Sequence, residues 1–308
     1  MVTKRIGMIG CSPDNGHPFS FSAIINGYDP YYLQHSRWPN IYEYVRQRDA
    51  SEFGFPGFRV THVWMPEPYT SIRLCQACHV PYRVYRPEEM IGEVDAVMIA
   101  RDDAASHFAL AIPFLRAGIP VFVDKPLSQL PRELELFKPY LQNGLLMSCS
   151  GMRFARELDA VRAGLKEIGR IKLIRGTIVN DWEKYGVHML EAICSLLPFT
   201  PRNITALDAD FMSVVITTEN GPLVQVEALD NIPPLFRLDI FSTKKHVSID
   251  IKDNFTMFRR MIWHFLHMVK TGKPSIPPES TWLIMKLLYA GRQSKILNKG
   301  LNIKDVDL

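Results

Sequence analysis

The chain has 308 residues, 47% of them hydrophobic and 22% charged, with a formal net charge of +4. That length suits two domains of ordinary size, and the composition is that of a globular chain rather than a disordered one. Lys and Arg are scattered, which argues against a nucleic-acid stripe, and no window approaches the roughly 18 uninterrupted apolar residues that a membrane span needs.

From the N-terminus, short apolar runs alternate with helical patterns, the signature of βαβ units and a parallel sheet. Strands are predicted at Arg5–Cys11, Phe58–Trp64, Tyr82–Tyr85, Ala96–Ala100, Val121–Val123 and Leu145–Cys149. Helices are predicted between them at Pro18–Asn26, Tyr69–Cys78, Pro87–Ile91, Ala104–Ala117 and Pro131–Leu141. The run Ala-Val-Met-Ile-Ala at 96–100 is unbroken, as a strand buried on both faces requires. Residues 28–57, rich in aromatics, proline and charge, are too long for an ordinary connection, and insertions of this kind are usually functional or interfacial.

Beyond about residue 150 the order changes. A helix (Glu157–Ile168), a strand (Lys172–Asn180) and a helix (Tyr185–Leu197) precede strands at Asn203–Ala209, Phe211–Thr217, Leu223–Ala228, Phe236–Ser242 and His246–Ile251. The turn Glu219-Asn220-Gly221-Pro222 is a hairpin signal. Helices at Thr256–Lys270 and Ser280–Leu297 follow. Strands in succession without helices imply a mostly antiparallel, open-faced sheet. The expected class is therefore α/β: a dinucleotide-binding domain over 1–127 with its insertion, then an α+β substrate and oligomerisation domain over 128–308.

Five cysteines make no disulfide framework, and no signal segment precedes the first strand, so a reducing, cytoplasmic setting is expected. Cys75 and Cys78 form a CxxC, but no second Cys or His pair follows at zinc-ribbon spacing. Their helical context reads as thiols packed on one helix face, and no metal site is expected.

The first strand ends in Gly10-Cys11-Ser12-Pro13-Asp14-Asn15-Gly16-His17 before a helix, where a dinucleotide fold places its phosphate-binding turn. Gly10, Ser12, Asn15 and Gly16 are the candidates there. Ser12 stands at the second glycine of a GxGxxG pattern, and Gly16 arrives one residue late. At the end of the second strand Met65 holds the place usual for a ribose-binding acid, with Glu67 two residues on, so NAD and NADP both remain open. Arg101, Asp102 and His107 follow the fourth strand; the aspartate can cap the next helix, and His107 reads equally as a surface residue or a cofactor neighbour. Asp124-Lys125-Pro126 closes a buried strand at the end that faces the ligand crevice. A lysine there suits proton transfer, although a turn lysine in water is the ordinary alternative. Farther on, Lys184-Tyr185-Gly186-Val187-His188-Met189-Leu190-Glu191 opens a helix with His188 and Glu191 on one face.

Together these pieces resemble the glucose–fructose oxidoreductase / inositol dehydrogenase family (Gfo/Idh/MocA). The resemblance rests on Asp124-Lys125-Pro126 against the family's Glu-Lys-Pro, and on Lys184-x-Gly186-x-His188-x-x-Glu191 against its Asp-x-Gly-x-His-x-x-Asp. Gly151-Met-Arg153-Phe154, Ile168-Gly169-Arg170-Ile171 and Ala290-Gly-Arg-Gln-Ser294 add to it. It implies an N-terminal Rossmann domain, NAD or NADP as cofactor, and hydride transfer between the nicotinamide and a secondary alcohol. Lys125 would exchange a proton with the hydroxyl, and His188 would hydrogen-bond the same oxygen. Asp124 would join the cofactor residues. Arg153, Asn180, Trp182, Lys184, Tyr185 and His188 would face the substrate, a sugar, cyclitol or related polyol, although Asn180, Trp182 and Tyr185 read equally as core or surface residues of the strand–helix junction. Lys184 departs from the family's aspartate and could bind an anionic substrate group or mark lost activity. The remaining readings are a redox-neutral, self-recycling enzyme and a non-catalytic nucleotide- or metabolite-binding protein. The open sheet points to a homo-oligomer, dimer or tetramer, with no nucleic-acid or membrane partner.

Overall fold

The computed structural model describes residues 2–308, and the chain forms two compact units. The first comprises the chain up to Ser128 with Leu136–Ser148 and Phe258–Pro278; the second comprises Gln129–Glu135, Cys149–Met257 and Glu279–Leu308. In order, the chain runs β1 (Lys4–Ile9), α1 (His17–Asn26), α2 (Pro30–Gln34), α3 (Pro39–Val45), β2 (Phe58–Trp64), α4 (Pro68–Ala77), β3 (Tyr82–Arg83), β4 (Ala96–Ile99), α5 (Ala104–Arg116), β5 (Val121–Val123), α6 (Pro131–Gln142) and β6 (Leu146–Ser148). All six strands are parallel, in the order β3-β2-β1-β4-β5-β6. Strand order reverses between β1 and β4, and in such sheets ligands bind beyond the carboxyl ends at that switch point. Burial follows the apolar runs: every residue of β4 and β5 is buried, as are Ile6, Met8 and Ile9 of β1.

Residues 28–57 are ordered around short helices rather than left as irregular loop. Asp29 caps α2, accepting from the Tyr32 amide at 3.1 Å, and proline starts both α2 and α3. Leu33, Ile41 and Val45 are buried, and the Tyr44 hydroxyl donates to Ser20 Oγ of α1 at 2.5 Å. Gly16, at the start of α1, lies so close to Trp38 and Ile41 that a Cβ there would come within 2.7 Å of each.

The second unit continues with α7 (Asp159–Gly164), β7 (Ile171–Ile178), α8 (Val187–Leu196), β8 (Pro201–Ala206), β9 (Met212–Thr218), β10 (Leu223–Ala228), β11 (Phe236–Ser242) and β12 (His246–Asp250). The chain ends with α9 (Asn254–Thr271), α10 (Pro278–Leu297) and β13 (Leu301–Asn302). Its seven strands run β12-β11-β7-β10-β9-β8-β13, with β7 and β10 parallel and all other neighbours antiparallel. Ile174, Ile178, Val214, Ile216, Val224, Val226, Leu238 and Ile240 form the buried face. Two helical expectations are corrected. The helix expected over 157–168 is a 3₁₀ turn at Arg156–Leu158 followed by α7, which stops at Gly164, a poor helix former. Ahead of α8, residues Trp182–Gly186 form a five-residue π-turn, so the helical segment starts earlier than its apolar spacing indicated.

Among the described residues no helix is long and apolar enough to cross a membrane, and no group of three or more His, Cys, Asp or Glu side chains could hold a metal ion. Cys78 is buried, with its thiol 3.5 Å from the Phe19 carbonyl, and burial pushes its titration up; Cys75 is half-buried.

Candidate active site

In the first unit the carboxyl ends of β1, β2, β4 and β5 collect the predicted residues. After β1 the chain turns at Gly10, where a Cβ would fall 2.1 Å from Pro18 Cγ of α1. This glycine therefore permits the close strand–helix packing that a dinucleotide turn requires. Ser12 and Asn15 are buried; Asn15 Oδ1 accepts from the His17 amide at 2.8 Å. Ser12 Oγ lies 2.5 Å from Asp102 Oδ1 and accepts from the Asp102 amide at 3.2 Å. Beside it, Arg101 donates to the Cys11 carbonyl at 2.6 Å and grips both oxygens of Asp103 at 2.8 and 2.7 Å. The loops after β1 and β4 are thus tied together by side chains from each. Burial pushes the Cys11 thiol up to about 12 despite the pull of Arg101.

Donors at the start of α1, a fixed guanidinium and a tight glycine turn suit a diphosphate. The ribose end is different. Met65 is buried, with its sulfur 3.6 Å from Cys11 Sγ. Glu67 caps α4, accepting from Tyr69 N at 2.9 Å and from Thr70 N and Oγ1 at 2.7 and 2.8 Å, and these bonds hold its carboxyl below the usual range.

His107 requires a correction. Its ring is fully buried, with Nδ1 3.0 Å from the Pro126 carbonyl and 3.1 Å from that of Leu127, and Nε2 2.8 Å from the Arg101 carbonyl. Both nitrogens are engaged by backbone, so His107 staples the loop after β4 to the loop after β5 and does not present itself to a cofactor. It lies one turn inside α5, on the face that buries Ala104 and Ala111, which is why the sequence left its side open.

The lysine loop is held from below. Lys125 is only 4% exposed, which sets it apart from a turn lysine in water, and its peptide bond to Pro126 is cis. Asp124 is 2% exposed; its Oδ1 accepts from the Lys125 amide at 2.8 Å and its Oδ2 pairs with Nδ1 of His17. Burial alone would raise the Asp124 carboxyl, but His17 and then Lys125 outweigh it and hold it at about 2. His17 stacks on Phe21 at 5.1 Å and meets Phe258 edge-on at 5.2 Å. No residue pattern assigns His17 a role; its signal is its place as the first residue of α1.

In the second unit the predicted substrate residues separate into two sets. Trp182 is 1% exposed, its indole N–H donates to the Leu288 carbonyl at 2.8 Å, and its ring packs on Gly186 and Gly291. Arg153 is also withdrawn, its Nε 2.5 Å from Glu191 and its Nη2 2.7 Å from Ser280 Oγ. Both side chains are packed within this unit, Trp182 in the core place that its sequence context left open. Burial raises the Glu191 carboxyl against the pull of Arg153. The other set lies nearer the surface. Asn180 takes a left-handed backbone (φ 66°) and pairs with Asp230, Asp181 caps the π-turn through Lys184 N at 2.8 Å, and Lys184 is exposed. Tyr185 stacks over Phe236 at 6.5 Å and meets His188 edge-on at 5.3 Å. His188 Nδ1 is 2.5 Å from Ser150 Oγ, a contact nothing in the sequence announced, since Ser150 only follows the short apolar strand β6.

Comparison with known proteins agrees with this architecture. Residues 42–142 match the model of a family described as an oxidoreductase family with an NAD-binding Rossmann fold, GFO_IDH_MocA. That match spans about a third of the chain, nearly all of it within the first unit. Inositol 2-dehydrogenase 2 of Saccharopolyspora erythraea is 31% identical over 46% of this chain and 49% of its own length. The chain spans no more than about half the length of the curated relatives it matches. Among solved structures, myo-inositol 2-dehydrogenase from Lactobacillus plantarum superposes with a TM-score of 0.79 at 14% identity, covering 97% of this chain and 99% of that one. Scyllo-inositol dehydrogenase from Lactobacillus casei, bound to NAD(H) and scyllo-inositol, gives 0.76 at 14% identity, covering 98% and 100%. At such identities the likeness establishes the fold alone, a parallel Rossmann sheet with a mixed, mostly antiparallel second sheet.

Proposed function

We propose that this protein is a nicotinamide-dependent oxidoreductase that moves hydride between the cofactor and a secondary alcohol or ketone of a cyclitol, sugar or related polyol. The observation that carries this reading is the buried Lys125 beside an ionised Asp124 at the carboxyl end of a parallel strand. A dinucleotide, NAD or NADP, would be held by Gly10, Ser12, Asn15, Gly16, Arg101 and Asp102, and would supply the hydride acceptor or donor. Withdrawn from bulk water, Lys125 exchanges a proton with the hydroxyl, accepting it as the neutral amine in oxidation and donating it as the ammonium in reduction. The anchored Asp124 fixes the backbone of that lysine through the 2.8 Å amide bond. In the second unit His188 contributes a hydrogen bond to a substrate oxygen, while Asn180, Lys184 and Tyr185 supply the polar and aromatic contacts that a hydroxylated ring uses.

The family match supports this assignment, and so do the inositol dehydrogenases whose fold the chain shares. The test is a panel of inositols and sugars with NAD⁺ and NADP⁺, read by absorbance of the reduced cofactor. Lys125→Ala should lower turnover by at least about 10²-fold, the scale of a lost general base, with cofactor affinity kept within a few-fold. Unchanged turnover would remove Lys125 from the chemistry.

The outward face of the second sheet, where Leu173, Leu223 and Phe241 stand among Arg175, Gln225 and Arg237, supports a homo-oligomer, dimer or tetramer. Light scattering at micromolar concentration checks this, and a clean monomer refutes it.

A further inference from the structure

The second unit holds a buried hydroxyl to which the chemistry above gives no part. Ser150 is 2% exposed. Its Oγ accepts from the Met152 amide at 3.1 Å and lies 2.5 Å from Nδ1 of His188, while Arg153, three residues on, places its Nε 2.5 Å from the Glu191 carboxylate. The short turn from Ser150 to Arg153 is therefore held to α8 at two points one helical turn apart, through His188 and Glu191. Tyr185, edge-on to the imidazole at 5.3 Å and stacked over Phe236, limits the ring from another side.

Counting protons decides what this contact does. A serine hydroxyl has one proton to give, and in a buried place that proton needs an acceptor. Oγ already receives the Met152 N–H. Among the described residues, the acceptor set beside this hydroxyl is Nδ1 of His188. A neutral imidazole that accepts at Nδ1 carries its proton at Nε2. Lys184, four residues before His188, is exposed, and an ammonium group only donates, so it supplies no acceptor that would favour a proton on Nδ1.

We propose that Ser150 is a positioning residue that fixes His188 as the Nε2–H tautomer, so that His188 donates a hydrogen bond from Nε2 to the substrate oxygen and does not act as the base. The imidazole stabilises the developing alkoxide without changing its own charge. This inference rests on the reading that His188 meets a substrate oxygen, and its first test is independent of turnover.

The test uses full-length protein with ¹⁵N-labelled histidine, recorded at alkaline pH where the ring is neutral. The ring-nitrogen shifts of His188 should report a proton on Nε2 in the wild type. Ser150→Ala should give a mixture of tautomers, and Ser150→Thr, which keeps the hydroxyl, should restore the wild-type pattern. A proton on Nδ1 in the wild type overturns the proposal without any variant, as does an unchanged tautomer in folded Ser150→Ala. In kinetics on an accepted polyol, Ser150→Ala should lower kcat/KM about tenfold, the scale of one weakened transition-state hydrogen bond, with cofactor Kd unmoved and Ser150→Thr retaining most activity. A tautomer as stated in a protein that oxidises no polyol would refute the proposed function and leave the Ser150–His188 assignment standing.

Discussion

Replacing Asp124 by Asn removes one buried charge while preserving shape and the oxygen that accepts from the Lys125 amide. Asp124 is buried, and His17 and Lys125 together hold its carboxyl at about 2 rather than the ordinary 3.8. At RT ln 10 per pH unit, that lowering corresponds to about 2 kcal/mol of native-state stabilisation. The folded value lies below the unfolded one, so the contribution is complete above about pH 4 and is lost as the pH falls through about 2. Asp124→Asn should therefore be about 2 kcal/mol less stable than the wild type at pH 7, with the gap closing between about pH 4 and pH 2. Urea unfolding followed by circular dichroism at a series of pH values measures it. A stability gap that is the same at every pH would mean that packing, and not the charge shared with His17 and Lys125, accounts for the cost.

Other outcomes follow from packing and charge in the second unit. Gly291→Ala places a Cβ 2.7 Å from Trp182 Cζ2 and should cost about 1–3 kcal/mol, the range for overpacking. Trp182→Phe should relieve part of that, so the double variant unfolds at a higher temperature than additivity predicts; strictly additive costs would disprove the contact. Glu191→Ala leaves Arg153 buried without its carboxylate and should cost about 3–5 kcal/mol, most of it recovered when both are replaced as Arg153→Met with Glu191→Leu. A single-variant loss below about 1 kcal/mol, the size of an exposed pair, would contradict the buried geometry.

The sequence made the framework legible because burial on both faces leaves an unbroken apolar run, as in Ala96–Ile99, and because prolines and glycines punctuate the elements. Lys125 could be singled out for the same reason: a charge at the end of such a run has few structural explanations. What escaped were contacts between segments distant in the chain. His17 and Asp124 are 107 residues apart, Ser150 and His188 are 38 apart, and no local pattern links either pair. Trp182 stayed open between ligand contact and core because an aromatic residue beside polar neighbours fits either. Its true partners, Gly291 and the Leu288 carbonyl, lie more than a hundred residues away. His107 escaped in a similar way, since only the fold brings the carbonyls of 101, 126 and 127 around one ring.

The segment 28–57 first stood out as an interruption of the βαβ rhythm. Its buried Leu33, Ile41 and Val45, its Tyr44 bond to Ser20, and the amide of Gly54 on the Ile24 carbonyl at 2.9 Å make it part of the casing of α1. It is therefore not a removable module. Excising it would uncover the apolar flank of the helix whose first residue, His17, pairs with Asp124. The borders of this segment should accordingly resist proteases in the native state, and a shortened chain would be selected against for its folding before its chemistry is ever tried.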